Sequence, residues 1–371
     1  MQIYRVGGSL RDALIGVDSL DIDYVVLNCT ESELLKQYPR MKKVGRKKSV
    51  YILNGNEYTL SSFFSIEEDL MARDLTINSL AMDDKGKLYH HPYALQDLDK
   101  KIFRPVSEGN FFDDPLRVFR AARFAARFSD YTFSDELKDV MRAVAFSNKL
   151  GELSPERVGQ ELRKAFATEK PSRFFYYLEK TGCLIPWFKE LAFAVSIPAG
   201  PVLYHGQNSL FDHMLEVMDL VAGDPLIVWM AFCHDLGKIF TKKEIFPKHY
   251  GHEIRGIEIA EEMGLRVRLP RKLIQAGKVA SRLHMKAGLY DKLKPSTKVE
   301  LLIELGKTGL LENLFSLVKA DKGLDFMELA KNDLNMILNV KLPSSKKGLG
   351  EKSGDLLFQM RCNVIKKTSG R

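Results

Sequence analysis

Apolar and polar positions repeat with two different periods along the chain. In the first hundred residues the period is short. Residues 3–6, 23–27, 50–53 and 57–60 read as strands, and Asn54-Gly55-Asn56 supplies a hairpin turn between the last two. Residues 10–15 read as a short helix. From about Asp114 the apolar residues recur every three or four positions. Residues 116–128, 135–146, 155–167 and 172–180 therefore read as helices, in a region punctuated by Pro171, Pro186, Pro198, Pro201 and Pro225. A link at Ser344-Ser345-Lys346-Lys347-Gly348 precedes a last helix expected over 355–367. The pattern predicts an α+β chain, with a small mixed head followed by a long, mostly helical body.

Composition sharpens this picture. The chain has 371 residues, 45% hydrophobic and 28% charged, enough for two or three domains with real cores. The formal net charge is +8, and the stretch from Lys341 to Arg371 holds eight basic and two acidic residues. A basic end on a nearly neutral body suggests a polyanion such as nucleic acid. The cysteines, Cys29, Cys183, Cys233 and Cys362, are far apart, which argues against a disulfide scaffold or a thiolate zinc site. The start lacks a signal-length apolar core, and the longest apolar run, residues 226–233, is too short to cross a bilayer. A cytoplasmic location is expected.

Asp21-Ile22-Asp23 is the sharpest local feature. In an extended segment the two carboxylates share a face, where they repel unless a cation lies between them. Such hard ligands suit Mg²⁺. Gly7-Gly8 lies just upstream, where backbone N–H groups can approach a phosphate, and Arg11 adds a cation. Glu57 opens a strand that can lie beside Asp21 and is a candidate third carboxylate. Arg73 can hold a triphosphate or sugar. Asp113-Asp114-Pro115 opens a helix on which Arg117, Arg120, Arg123 and Arg127 fall on one arc. That arc is either a solvated face or the lining of a cleft, with Asp114 as a complementary acceptor.

The body carries a second constellation: His213, the pair His234-Asp235, His249, His252, His284 and Asp321. Imidazole with carboxylate suits a divalent metal, and His213, His234, Asp235, His252 and Asp321 are its expected ligands. Gly348-Leu349-Gly350-Glu351-Lys352-Ser353 has the letters of a phosphate loop without the spacing or a preceding strand.

In order and spacing, five motifs resemble the class II tRNA nucleotidyltransferases. They are Gly7-Gly8-x-x-Arg11-Asp12, Asp21-x-Asp23, Arg73-Asp74-x-Thr76-x-Asn78, Asp113-Asp114-Pro115-Leu116-Arg117-x-x-Arg120-x-x-Arg123-Phe124 and Ser154-Pro155-Glu156-Arg157-x-x-x-Glu161. The body resembles the HD phosphohydrolase module of the gamma-proteobacterial CCA-adding branch. The resemblance implies a polymerase-β-like head over 1–105, a helical neck over 106–168, and a body and tail over 169–371 with the HD module at about 211–325. It implies addition of C, C and A to tRNA 3′ ends from CTP and ATP. Asp21 and Asp23, with Glu57, would hold Mg²⁺. Gly8 and Arg11 would contact the triphosphate, and Arg73, Arg120 and Arg123 the nucleotide or its phosphates. Asp114 and Arg117 would read the base edge. The HD site would take a divalent ion such as Ni²⁺ or Mn²⁺ and support phosphodiesterase or phosphatase chemistry.

For the tRNA acceptor end, phosphate contacts are expected from Lys346, Lys347, Lys352, Arg361, Lys366 and Lys367. Either a monomer or a dimer is compatible with the sequence. One departure bears on activity. Only residues 58–72 separate Glu57 from Arg73, and Ser61-Ser62-Phe63-Phe64 stands where CCA-adding relatives carry a longer loop. A missing loop marks CC-adding relatives, so CC addition is the alternative, with poly(A) polymerase a third.

Overall fold

The computed structural model describes residues 1–17, 22–44, 50–348 and 350–369. The chain divides into two compact units. One comprises Met1–Leu153 with Tyr177–Cys183, and the other Ser154–Tyr176 with Leu184–Arg371. The neck expected over 106–168 is thereby divided.

The first unit is built on a seven-stranded sheet of order β3-β4-β5-β2-β1-β6-β7. Its strands are β1 (Gln2–Val6), β2 (Asp23–Leu27), β3 (Lys42–Val44), β4 (Val50–Leu53), β5 (Asn56–Leu60), β6 (Leu80–Met82) and β7 (Leu88–His90). Val25 and Leu27 pack with Tyr4, Val6, Ile66, Leu70 and Ala81, while Val26 packs with Leu34, Met41 and Tyr51. The two-residue period thus gives the central strand a core on each face. Helices α1 (Gly8–Leu14), α2 (Glu31–Gln37) and α3 (Ile66–Met71) connect these strands, and α4 (Ala94–Asp99) follows. A small parallel pair, β8 (Ile102–Phe103) and β9 (Thr132–Phe133), encloses α5 (Glu108–Asp113) and α6 (Leu116–Arg127) in sequence, and α7 (Asp135–Phe146) comes next.

In α6, Val118, Phe119, Ala121, Ala122, Ala125 and Ala126 are fully buried. Its arginines lie on the other arc. Pro115, not an acid, takes the N-cap position, because the helix starts one residue later than its acids suggest; the Asp114 carboxylate just ahead of it accepts from Leu116 N–H.

The second unit is helical: α8 (Pro155–Phe166), the start of α9 (Ser172–Lys180), α10 (Leu191–Ala194), α11 (Val202–His205), α12 (Leu210–Leu220), α13 (Pro225–Cys233), α14 (His252–Arg266), α15 (Arg271–Ala287), α16 (Pro295–Thr308), α17 (Leu311–Lys322), α18 (Met327–Leu338) and α19 (Glu351–Ser369). Here α13 is apolar on every side, with Val228 to Cys233 all at most 1% exposed, so it forms the core of the unit. Two glycines permit close approach around it. A Cβ on Gly237 would lie 1.9 Å from the His252 carbonyl oxygen, and one on Gly256 would lie 2.1 Å from Ser281 Oγ. No described helix is long and apolar enough to cross a membrane.

Candidate functional sites

In the first unit Asp23 begins β2, and its register partner on the neighbouring parallel strand is Glu57. Paired residues on adjacent strands point to the same face. Both carboxylates are exposed, at the starts of these two interior strands. The expected juxtaposition of Glu57 with the aspartate strand is therefore present, while Asp21 lies outside the described residues. Val6 pairs with Asp23 from the other side, so the chain leaves β1 directly into Gly7 and Gly8 beside these carboxylates. Gly7 has φ +70°, and its N–H donates to the Leu80 carbonyl at 3.0 Å. A Cβ there would meet Arg73 Nη1 at 3.1 Å, so glycine lets Arg73 lie over the turn. Arg73 is held by Asp69 at 2.9 Å and donates to the Asn78 carbonyl.

The other arginines are tied into the unit. Arg11 is 2% exposed, donates to Asp12 and Asn78, and lies over the rings of Phe124 and Phe128. The structure thus makes Arg11 a buried brace rather than the open triphosphate cation expected, because Asp12, Asn78 and two aromatic faces replace its hydration. Asp12 also receives Arg127 at 2.8 Å. Arg117 donates to the carbonyls of Ala72 and Arg73 at 2.6 and 2.8 Å. Arg120 pairs with buried Asp74 at 2.7 Å. Burial alone would raise the Asp74 carboxyl, but Arg120, Asn78 and the Leu75 N–H outweigh it and hold it well below the usual carboxylate range. Arg123 covers the Phe124 ring at 4.3 Å. Arg117 and Arg120 thus fix residues 72–74, and with them Arg73, beside Gly7.

In the second unit the histidines converge on one carboxylate. Asp235 Oδ2 lies 3.5 Å from His213 Nε2 and 3.3 Å from His234 Nε2, and Oδ1 lies 3.2 Å from His252 Nε2 and 3.4 Å from His284 Nε2. Asp321 Oδ1 is 3.2 Å from His213 Nε2. The rings are oriented from behind. His234 Nδ1 faces the Ala231 carbonyl, His252 Nδ1 that of His249, and His284 Nδ1 those of Ala280 and Ser281. A carbonyl only accepts, so each Nδ1 carries a hydrogen, and in the neutral form of each ring the Nε2 lone pair is the one that faces inward.

The His252 and His284 Nε2 atoms are 3.2 Å apart, and buried His234 Nε2 has no hydrogen-bond partner. Lone pairs gathered around a carboxylate are the donor set of a cation site. Two groups, His213-His234-Asp235 and Asp235-His252-His284, share Asp235 as a bridge. Burial would raise the Asp235 carboxyl, yet Lys238 at 2.6 Å and His234 hold it well below its usual range. All five expected ligands come together, and His284 joins them. Its place in the sequence series signalled it, but without a motif. His249 stands apart, bonded to Thr241 Oγ1 and the Pro198 carbonyl.

Three family models match the chain. Residues 40–104 match the poly A polymerase head domain, residues 130–194 the probable RNA and SrmB-binding site of polymerase A, and residues 210–304 the HD domain. The chain thus joins a poly A polymerase-type head, an RNA-binding segment and an HD domain. Solved structures share the fold across the whole length. The Thermotoga maritima CCA-adding enzyme complexed with tRNA is 21% identical, with all of this chain covering 88% of that one at a TM-score of 0.66. A CCA-adding enzyme with ATP is 20% identical over the same shares, also at 0.66. A tRNA-processing enzyme with CTP is 19% identical, over 98% of this chain and 96% of that one, at 0.62.

The segment Ser61–Phe64, which stands where the longer loop was expected, is a tied turn. Ser61 Oγ donates to Asp69, Phe64 N–H to Glu68, and Asn28 to the Phe64 carbonyl. It follows β5 at the end opposite Glu57.

Proposed function

We propose that the chain adds C, C and A to tRNA 3′ ends from CTP and ATP in the cytoplasm. The observation that carries this reading is Asp23 and Glu57 side by side next to the Gly7 turn, with Arg73 held over it. These carboxylates, with Asp21, would hold Mg²⁺, which supplies charge neutralisation at the α-phosphate and at the leaving pyrophosphate. The protein's part is positioning. Gly7 and Gly8 permit close approach of phosphates, Arg73 offers a cation, and α6 holds residues 72–74 in place. Asp114 and Arg117 at the start of α6 would present acceptors and donors to a base edge, with Arg120 and Arg123 toward the nucleotide.

The tied turn at Ser61–Phe64 favours a second reading, in which the enzyme stops after two C residues. Incubation with a tRNA lacking CCA, plus CTP and ATP, decides between them. Extension by three nucleotides supports CCA addition, extension by two supports the CC reading, and no extension defeats both. Processive A-tailing of generic RNA would instead indicate a poly(A) polymerase.

The HD cluster supports a second activity, metal-dependent hydrolysis of phosphate esters such as 2′,3′-cyclic AMP. A divalent ion such as Ni²⁺ or Mn²⁺ held by His213, His234, Asp235, His252, His284 and Asp321 would supply a Lewis acid there. His234→Ala and Asp235→Ala are expected to abolish that hydrolysis and lower bound metal while leaving nucleotide addition intact. Hydrolysis that persists in both folded variants would remove the HD site from the reaction.

A further inference from the structure

A groove in the second unit has no role in either site. It has a volume of about 630 Å³ and runs between α8 and the starts of α13 and α15. Phe166, Pro225, Leu226 and Leu273 give it an apolar floor, and Arg163, Lys164 and Lys272 rim it. The groove is a fixed feature of one compact unit. Phe166 packs against Trp229 and Phe232 of α13, and a Cβ on Gly159 of α8 would lie 2.0 Å from the Val267 carbonyl oxygen.

The charge on the rim is unbalanced. Arg163 and Lys272 are exposed and have no ion pair or hydrogen bond among the described residues, and the same holds for neighbouring Arg271. Lys164 reaches only Glu161, at 3.8 Å. The one acid lining the groove, Asp224, already accepts from the N–H groups of Leu226 and Ile227. Arg271 and Lys272 also occupy the first turn of α15, where the helix dipole disfavours cations. Like charges gathered on an open apolar floor are relieved by a polyanion that also has apolar surface. A nucleotide strand has both, with phosphates for the rim and base or sugar faces for the floor.

We propose that this groove is an RNA-docking site, formed jointly by α8 and the HD domain, that holds a stretch of the tRNA backbone. It rests on the proposed tRNA substrate and on the match of residues 130–194, which contain α8, to an RNA-binding model, and adds the HD-domain side of the contact at Lys272 and Leu273. The cations act on binding, through phosphates, and not on the chemical step.

The test uses the full chain and a tRNA lacking CCA. Arg163→Glu with Lys272→Glu should weaken binding by roughly tenfold at 0.1 M salt and lower the slope of log affinity against log salt by about two. Turnover at saturating tRNA should match the wild type. The neutral pair Arg163→Gln with Lys272→Gln, checked by circular dichroism, should give the same trend at smaller size and so guards against misfolding. A wild type that extends tRNA while both folded variants keep its affinity and slope overturns the groove assignment alone. Unchanged tRNA affinity with lost binding of a polyglutamate peptide overturns it in favour of an acidic protein segment. A wild type that fails to bind tRNA overturns the underlying reading as well.

Discussion

Two kinds of carboxylate in the first unit make opposite predictions. Asp23 and Glu57 are exposed and lie side by side on neighbouring strands, outside the packed core. Asp23→Asn should slow C addition by roughly 10³-fold, the equivalent of several kcal/mol of lost metal stabilisation, with an unchanged melting temperature. Glu57→Gln should slow it by a smaller factor. Near-normal rates in both variants would disprove the catalytic assignment.

Asp74 behaves differently, being 5% exposed and paired with Arg120. Its folded pKa lies below its unfolded value, so the stabilisation is complete above the usual carboxylate range, near pH 4. It is lost as the pH falls toward the depressed folded value. Asp74→Asn should destabilise the protein by roughly 2 kcal/mol at neutral pH and flatten the loss of stability on acidification, as read by denaturant melts from pH 3 to 7.

At the level of elements, packing around the HD cluster depends on Gly237. The helical turn Leu236–Phe240 and α14 can approach only because no Cβ intervenes, and the contact is with backbone, which cannot rotate away. Gly237→Ala should therefore destabilise by about 1–3 kcal/mol and displace His252, with weaker divalent-metal binding in a titration. A stable variant that binds metal normally would show that the helix shifts freely.

The elements themselves were largely legible. Helices α6 to α9 and strands β1, β2, β4 and β5 lie within a residue or two of the expected ranges, because each has a one-sided apolar pattern or a cap. Three strands of the seven-stranded sheet escaped notice, as did the two-residue strands β8 and β9. β3 is Lys42-Lys43-Val44, fully exposed, and β6 and β7 have three residues each, too few to display a period. The last helix begins at Glu351, four residues before its expected start, and runs through Ser353 and Gly354. The arginine arc on α6 was visible as a pattern but not in its use. Its partners, the carbonyls of Ala72 and Arg73 and the carboxylates of Asp12 and Asp74, are more than forty residues away in sequence. The HD residues were legible as chemical types, whereas the bridging of Asp235 between two donor groups depends on how five helical segments fold together.

Over the whole molecule the charge is concentrated at one end of the chain, and the structure separates two classes within it. Lys346, Lys347, Lys352, Lys366 and Lys367 are exposed, and among the described residues no ion pair holds them. Arg361 donates to the Ile337 carbonyl at 3.0 Å and braces α19. Ile365 on the same helix is fully buried, so deleting the tail would uncover apolar surface and confound any binding measurement. Neutralising the five lysines to Gln leaves that packing intact and removes only charge. If they meet tRNA phosphates, affinity should fall and the log–log salt slope should lessen by up to about four, since each neutralised phosphate contributes roughly 0.7–0.9. The loss should be nearly equal for tRNAs of different sequence, because phosphate contacts carry no base information. Arg361→Gln should chiefly lower the melting temperature and leave the slope near wild type. A five-lysine variant with an unchanged slope would place the tRNA contacts elsewhere on the chain and reduce the basic end to a solvated helix.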